Sequence, residues 1–155
     1  MDFDQFLIDF FWSAAFILGA LKLIAIILAI PGMAGEYPGI ATLIDDGMAL
    51  TDLGRYNESI EAYLAALNYS DISAGSAANA YLGIALNYAR LEIYREAIHF
   101  CDRSMEFTQS HAFLSAAMKL KASCQMALGD TDGANSTTEN RLNMESRARF
   151  YYGVN

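Results

Sequence analysis

The sequence predicts an all-α fold of about three antiparallel helix hairpins stacked as a short solenoid, preceded by one long hydrophobic N-terminal helix. Three observations carry this prediction. First, Gly54-x-Tyr56-x-Glu58-Ser59-Ile60 recurs as Glu92-x-Tyr94-x-Glu96-Ala97-Ile98, and in degraded form as Gly129-x-Thr131-x-Gly133-Ala134-Asn135. The small residues at the heart of the copies, Ser59, Ala97 and Ala134, are spaced by 38 and 37 residues, the length of one helix hairpin. Second, apolar residues keep the helical period: Ile60, Tyr63, Leu64 and Leu67 form one stripe, and Tyr81, Ile84, Ala85 and Tyr88 another, with no strand alternation. Third, an apolar run extends from about Phe6 to Ile30 and ends at Pro31-Gly32. A hairpin of this size cannot bury its own apolar face, so the copies stack and form a curved docking surface instead of a reaction centre.

Residues 1–30 form the hydrophobic segment. About 20 helical residues cross a hydrocarbon core of ~30 Å, so a single membrane span or an assembly helix is expected. A cleaved signal peptide fits badly, because the chain begins with Asp2, Asp4 and Asp9, where such peptides carry positive charge and a shorter apolar core. Lys22 lies deep in the run, at a cost of roughly 2.5–3.5 kcal/mol unless it snorkels or meets an acid. Asp9 is 13 residues away, roughly 20 Å along one helix. Lys22 and Asp9 are therefore expected to make intramembrane contacts between subunits. The flanks carry no Lys or Arg to fix an orientation. Three glycosylation sequons, at Asn57, Asn68 and Asn135, exceed the single one that composition gives, and tilt the expectation to an extracytoplasmic repeat domain.

Residues 31–39, with two prolines and three glycines, read as a linker. Residues 40–150 form the repeat domain and 151–155 a tail. The first hairpin is expected at about Ile40 to Leu53 and Tyr56 to Asn68, joined at Gly54-Arg55. The second is expected at about Ala77 to Arg90 and Tyr94 to Phe107, the third at about Ala112 to Leu128 and Asp132 to Phe150.

The pattern resembles tetratricopeptide (TPR) repeats, whose signature sets a bulky residue, Leu, Gly and Tyr on the first helix and Ala, Phe and Pro on the second. Matching positions in the first copy are Leu43, Asp46, Gly47, Leu50, Ser59, Tyr63 and Asp71. The second copy supplies Tyr81, Ile84, Ala85, Tyr88, Ala97, Cys101 and Gln109, and the third Met118, Lys121, Ala122, Gln125, Ala134, Thr138 and Ser146. The resemblance implies that Gly47, Ala85 and Ala122 let paired helices approach, while Tyr63 and Cys101 fill the space between hairpins. The closing proline is absent from every copy, and Lys121, Asn135 and Thr138 stand where apolar residues belong. The third hairpin is therefore expected to be a weak, solvated cap.

In TPR proteins the first helices line a concave face where partners dock. Carried over, that face presents Ile44, Asp45 and Met48, then Asn79, Leu82, Leu86 and Arg90, then Lys119, Ser123 and Met126. The Lys and Asn residues with which the family grips a terminal carboxylate are replaced here by Ile44, Met48, Gly83, Ala116 and Leu120. A mixed apolar groove with methionines suits a helix or extended segment instead.

Other chemistries find little support. The net charge is −8 and the ten Lys and Arg are scattered, which excludes the concentrated basic surface that nucleic acid requires. Cys101 and Cys124 lack metal-ligand spacing and read as small core residues, with a disulfide open only in an oxidising compartment. His99 and Cys101 fall on different helix faces, so no nucleophilic pair forms and no enzyme is expected. Asp130-Thr131-Asp132-Gly133 lacks the ligands of a calcium loop and reads as a turn with a helix N-cap. No cofactor, metal or small-molecule substrate is implied. The expected function is a membrane-anchored protein-interaction module, a subunit of a larger assembly, binding protein partners or itself. The alternative is a structural subunit of a pilus-like extracellular filament with the hydrophobic helix in its core.

Overall fold

The computed structural model describes residues 39–152. The expected N-terminal helix, with Asp9 and Lys22, the linker up to Pro38, and residues 153–155 lie outside the described residues. Among the described residues there are six helices and no strand: α1 (Ile40–Asp52), α2 (Tyr56–Leu67), α3 (Ala74–Arg90), α4 (Tyr94–Glu106), α5 (His111–Ala127) and α6 (Thr131–Tyr152). No described helix is long and apolar enough to cross a membrane.

Each helix packs against its chain neighbours, giving the hairpins α1/α2, α3/α4 and α5/α6. The first helices also touch across hairpins, α1 on α3 and α3 on α5, whereas among the described elements α2 does not meet α4, nor α4 meet α6. Closer spacing on one side bends the array toward that side. The face formed by α1, α3 and α5 is therefore the inner one.

The hairpin turns repeat atom for atom, and this explains the sequence repeat. At the end of α1 the Gly54 N–H donates to Thr51 O over 3.0 Å and the Arg55 N–H to Leu50 O over 2.9 Å. Glu92 and Ile93 make the same pair of bonds after α3, and Gly129 and Asp130 after α5. These are Schellman turns, which need a left-handed residue just beyond the helix. Gly54 (φ 74°), Glu92 (φ 63°) and Gly129 (φ 79°) supply it. Glycine takes this conformation without penalty and glutamate does not.

A core of Leu43, Ile44, Ile60, Tyr63, Ala66, Ala80 and Ile84 joins the first two hairpins. The Tyr63 ring lies where α1 and α3 both lack a side chain. A Cβ at Gly47 would fall 2.8 Å from Tyr63 Cε1, and one at Gly83 would collide with the same ring. Tyr63 thus fills the space between hairpins, as the resemblance implies. Gly83, by contrast, serves this packing and offers no side chain to the inner face.

Beside the ring lies a polar cluster that periodicity did not reveal. Ser59 Oγ donates to Gly47 O over 2.7 Å, and Thr51 Oγ1 lies 2.9 Å from Ser59 Oγ and 3.1 Å from Asn87 Oδ1. Ser59 and Asn87 are completely buried, so these bonds replace the water each group loses on folding. The clue in the sequence was Ser59, where the other copies carry Ala97 and Ala134.

Three expectations need correction. α3 begins at Ala74, one turn earlier than the expected Ala77, because Ser73 Oγ accepts from the Ser76 N–H over 3.1 Å and caps the helix. Leu64 is 41% exposed and falls off the buried stripe of Ile60 and Tyr63. α6 runs through to Tyr152, absorbing the first two residues of the expected tail. The solvated cap expected of the third hairpin is seen in α6, where Ala134 alone is buried among the described side chains, but specific contacts hold the hairpin in place. Lys121, expected to be out of place, pairs with Asp102 of α4 over 2.7 Å. Glu145 accepts from Ser115 Oγ of α5 over 2.5 Å, tying α6 to α5, and from Arg141 of its own helix over 2.8 Å. Asp130 caps α6 as expected, its Oδ1 accepting from the Gly133 N–H over 3.0 Å.

Candidate functional site

The inner face carries two adjoining clefts. The first, of ≈ 150 Å³, is lined by Met48, Thr51, Asp52, Tyr63 and Leu86. The second, of ≈ 370 Å³, opens between α3 and α5 and includes Leu86, Arg90, Leu120, Ser123 and Cys124. Leu86 borders both, so the two clefts lie on either side of its side chain and together make an interrupted groove along α1, α3 and α5. This alignment follows from the repeat: Met48 and Leu86 are 38 residues apart and Leu86 and Ser123 are 37 apart, which puts them level on successive first helices.

Of the residues expected on this face, Met48, Leu86, Arg90 and Ser123 line the groove. Asp45 and Lys119 are exposed, and Asn79 and Leu82 are half-buried. Met126 is 55% exposed and Met48 50%, more than a side chain committed to helix packing shows. Ile44 is the exception: at 7% exposure it belongs to the core and presents nothing to a partner. Missed from the sequence were Thr51, Asp52, Ala89, Tyr94 and Ala127. The repeat spacing was the signal for Asp52 and Ala127, which align with Arg90.

The lining mixes Met48, Leu86, Ala89, Leu120 and Ala127 with Tyr63, Tyr94, Thr51, Ser123 and Cys124, and carries one exposed charge of each sign, Asp52 and Arg90. Among the described residues no group of His, Cys, Asp and Glu is placed to hold a metal ion. Cys101 and Cys124 are free thiols, both buried. Burial, followed by the neighbouring Cys124 and Asp102, pushes the Cys101 thiol up to about 12, with Lys121 pulling the other way. Burial also raises Cys124. Both are held in the protonated form, the reverse of what a nucleophilic thiol needs. His99 is exposed and packs edge-on to Phe100 with ring centres 5.3 Å apart.

The three sequons sit in different settings. Asn57 and Asn135 are exposed on α2 and α6, and Asn68 is the exposed residue that closes α2. Ser59, the hydroxyl of the first sequon, is sealed in the polar cluster. Ser70, that of the second, is exposed in the following loop.

No protein-family model matches this chain, and no curated protein matches it either. Among solved structures it is similar to one described as the second TPR of Spaghetti (RPAP3) bound to HSP90 peptide SRMEEVD, with a TM-score of 0.58 and 21% identity. The likeness covers 68% of this chain and 91% of that one. The fold of the described residues is thus TPR-like.

Proposed function

We propose that the chain is a protein-interaction module whose inner groove, centred on Leu86, holds a peptide segment of a partner. The observation that carries this reading is the placement of two clefts on either side of Leu86, which gives an extended segment places to seat successive side chains along one line. The likeness to a TPR domain bound to an HSP90 peptide supports a peptide as the class of ligand. The grip differs, because Ile44, Met48, Gly83, Ala116 and Leu120 replace the family's carboxylate-binding residues.

The test is selection of binders from a random peptide library on the purified full-length chain. Selected peptides should lose binding to Leu86→Glu and to Ser123→Trp, while the circular dichroism spectra and melting temperatures stay near the parent's. Peptides that bind both variants as well as the parent would place the binding site elsewhere.

In this reading the apolar run from Phe6 to Ile30 tethers the module to a membrane or a membrane complex, with Lys22 meeting an acidic group such as Asp9 of another subunit. Lys22→Leu should insert into vesicles at least as well as the parent and assemble less well in detergent. Equal assembly would sink the intersubunit role, and helical fibres in electron micrographs would favour a filament subunit instead. Intact-mass measurement would show whether Asn57, Asn68 or Asn135 carries glycan and so which side of the membrane the repeats occupy.

A further inference from the structure

The groove is electrically polarised. Asp52 borders the first cleft beside Met48 and Leu86, and Arg90 borders the second beside Leu86 and Ser123. The two residues are 38 apart, level with each other on α1 and α3. Exposed Asp45 lies about two turns before Asp52 on α1, and exposed Lys119 about two turns before Ala127, the α5 position level with Arg90, so both add charge of the same sign only at longer range. Four basic residues outside the groove form ion pairs: Arg55 with Glu58, Arg103 with Glu106, Lys121 with Asp102 and Arg141 with Glu145. Among the described residues Asp45, Asp52, Arg90 and Lys119 form no such pair.

From this charge pattern, and resting on the peptide-binding reading above, we infer that the groove selects a dipolar segment in one orientation. A basic side chain of the partner lies over Asp52, apolar side chains fill the clefts on either side of Leu86, and an acidic side chain meets Arg90. Exposed charges of this kind act on orientation and encounter rate more than on total affinity, because a segment laid the wrong way brings like charges together. Neighbouring helices are about 8–10 Å apart and extended chain advances about 3.3 Å per residue. The basic and acidic residues are thus separated by about three positions.

The experiment uses peptides from the library selection, sorted by loss of binding to Leu86→Glu, and a full-length charge-reversed protein carrying Asp52→Lys and Arg90→Glu. The Leu86-dependent peptides should share a basic and an acidic residue about three positions apart among apolar ones. They should bind the charge-reversed protein about tenfold more weakly, and recover when their own acidic and basic residues are exchanged. The loss should shrink in high salt, since the charges are exposed. Leu86-dependent peptides without charge polarity, or with unchanged affinity for the charge-reversed protein, would overturn the orientation rule and leave the peptide-binding reading standing. A selection yielding no Leu86-dependent peptide would overturn both.

Discussion

The side-chain amide of Asn87 donates to Ser59 Oγ over 2.8 Å and to the Gly83 carbonyl over 2.9 Å, so one buried amide on α3 ties the second hairpin to the first. With Ser59 giving its proton to Gly47 O, the Asn87 amide occupies the hydroxyl's acceptor side. Removing either partner leaves a buried polar group unpaired, at about 1–3 kcal/mol. Ser59→Ala and Asn87→Leu should each lower stability by that amount in urea unfolding. The double variant should cost less than the sum, with a coupling of about 0.5–3 kcal/mol. Additive effects would show that the two side chains contribute independently.

Tyr63 and Gly83 make a packing test of the same junction. A methyl group at Gly83 would overlap the Tyr63 ring, which is almost wholly buried and cannot swing away. Gly83→Ala should destabilise by about 1–3 kcal/mol, despite alanine's better helix propensity. A melting temperature at or above the parent's would mean that the ring can yield.

The repeated turn gives opposite predictions for equivalent positions. Glu92 holds a left-handed conformation (φ 63°), so Glu92→Gly should stabilise by roughly 0.5–1 kcal/mol once glycine's extra unfolded-state entropy is subtracted. Gly54→Ala, at φ 74°, should destabilise by about 1 kcal/mol. Thermal melts of the two variants side by side check the signs.

Cys101 makes stability depend on alkaline pH. Its thiol is pushed up to about 12 in the fold, against about 8.5 in an unfolded chain. Above about pH 8.5 the unfolded state therefore binds fewer protons than the folded one, and stability falls as pH rises toward 12. The melting temperature of the parent should drop more between about pH 8 and 10 than that of Cys101→Ala. At neutral pH neither Cys101 nor Cys124 should react with a thiol reagent until urea unfolds the protein.

Much of this architecture is written in local chemistry, which one sequence exposes. The copies beginning at Gly54, Glu92 and Gly129 mark the turns because each needs the same backbone conformation and the same two hydrogen bonds. The helical period of Tyr81, Ile84, Ala85 and Tyr88 marks the buried face of α3, because a helix returns to one side every 3.6 residues. Repeat spacing then places Met48, Leu86 and Ser123 in one row, so the centre of the groove was legible as well.

What tertiary structure alone decided depends on neighbours remote in sequence. Ile44 and Met48 lie one turn apart on α1 and read alike, yet packing against the second hairpin buries Ile44 and leaves Met48 half exposed. Lys121 looked like a defect until α4 brought Asp102 to it across 19 residues. Ser59 looked merely small until α3 delivered Asn87. The repeat, its turns and the row of Met48, Leu86 and Ser123 are legible in the chain alone, because they follow from local turn chemistry and constant repeat spacing. The junctions between hairpins, and the depth and charge of the clefts, were decided by which side chains the stacked helices bring together.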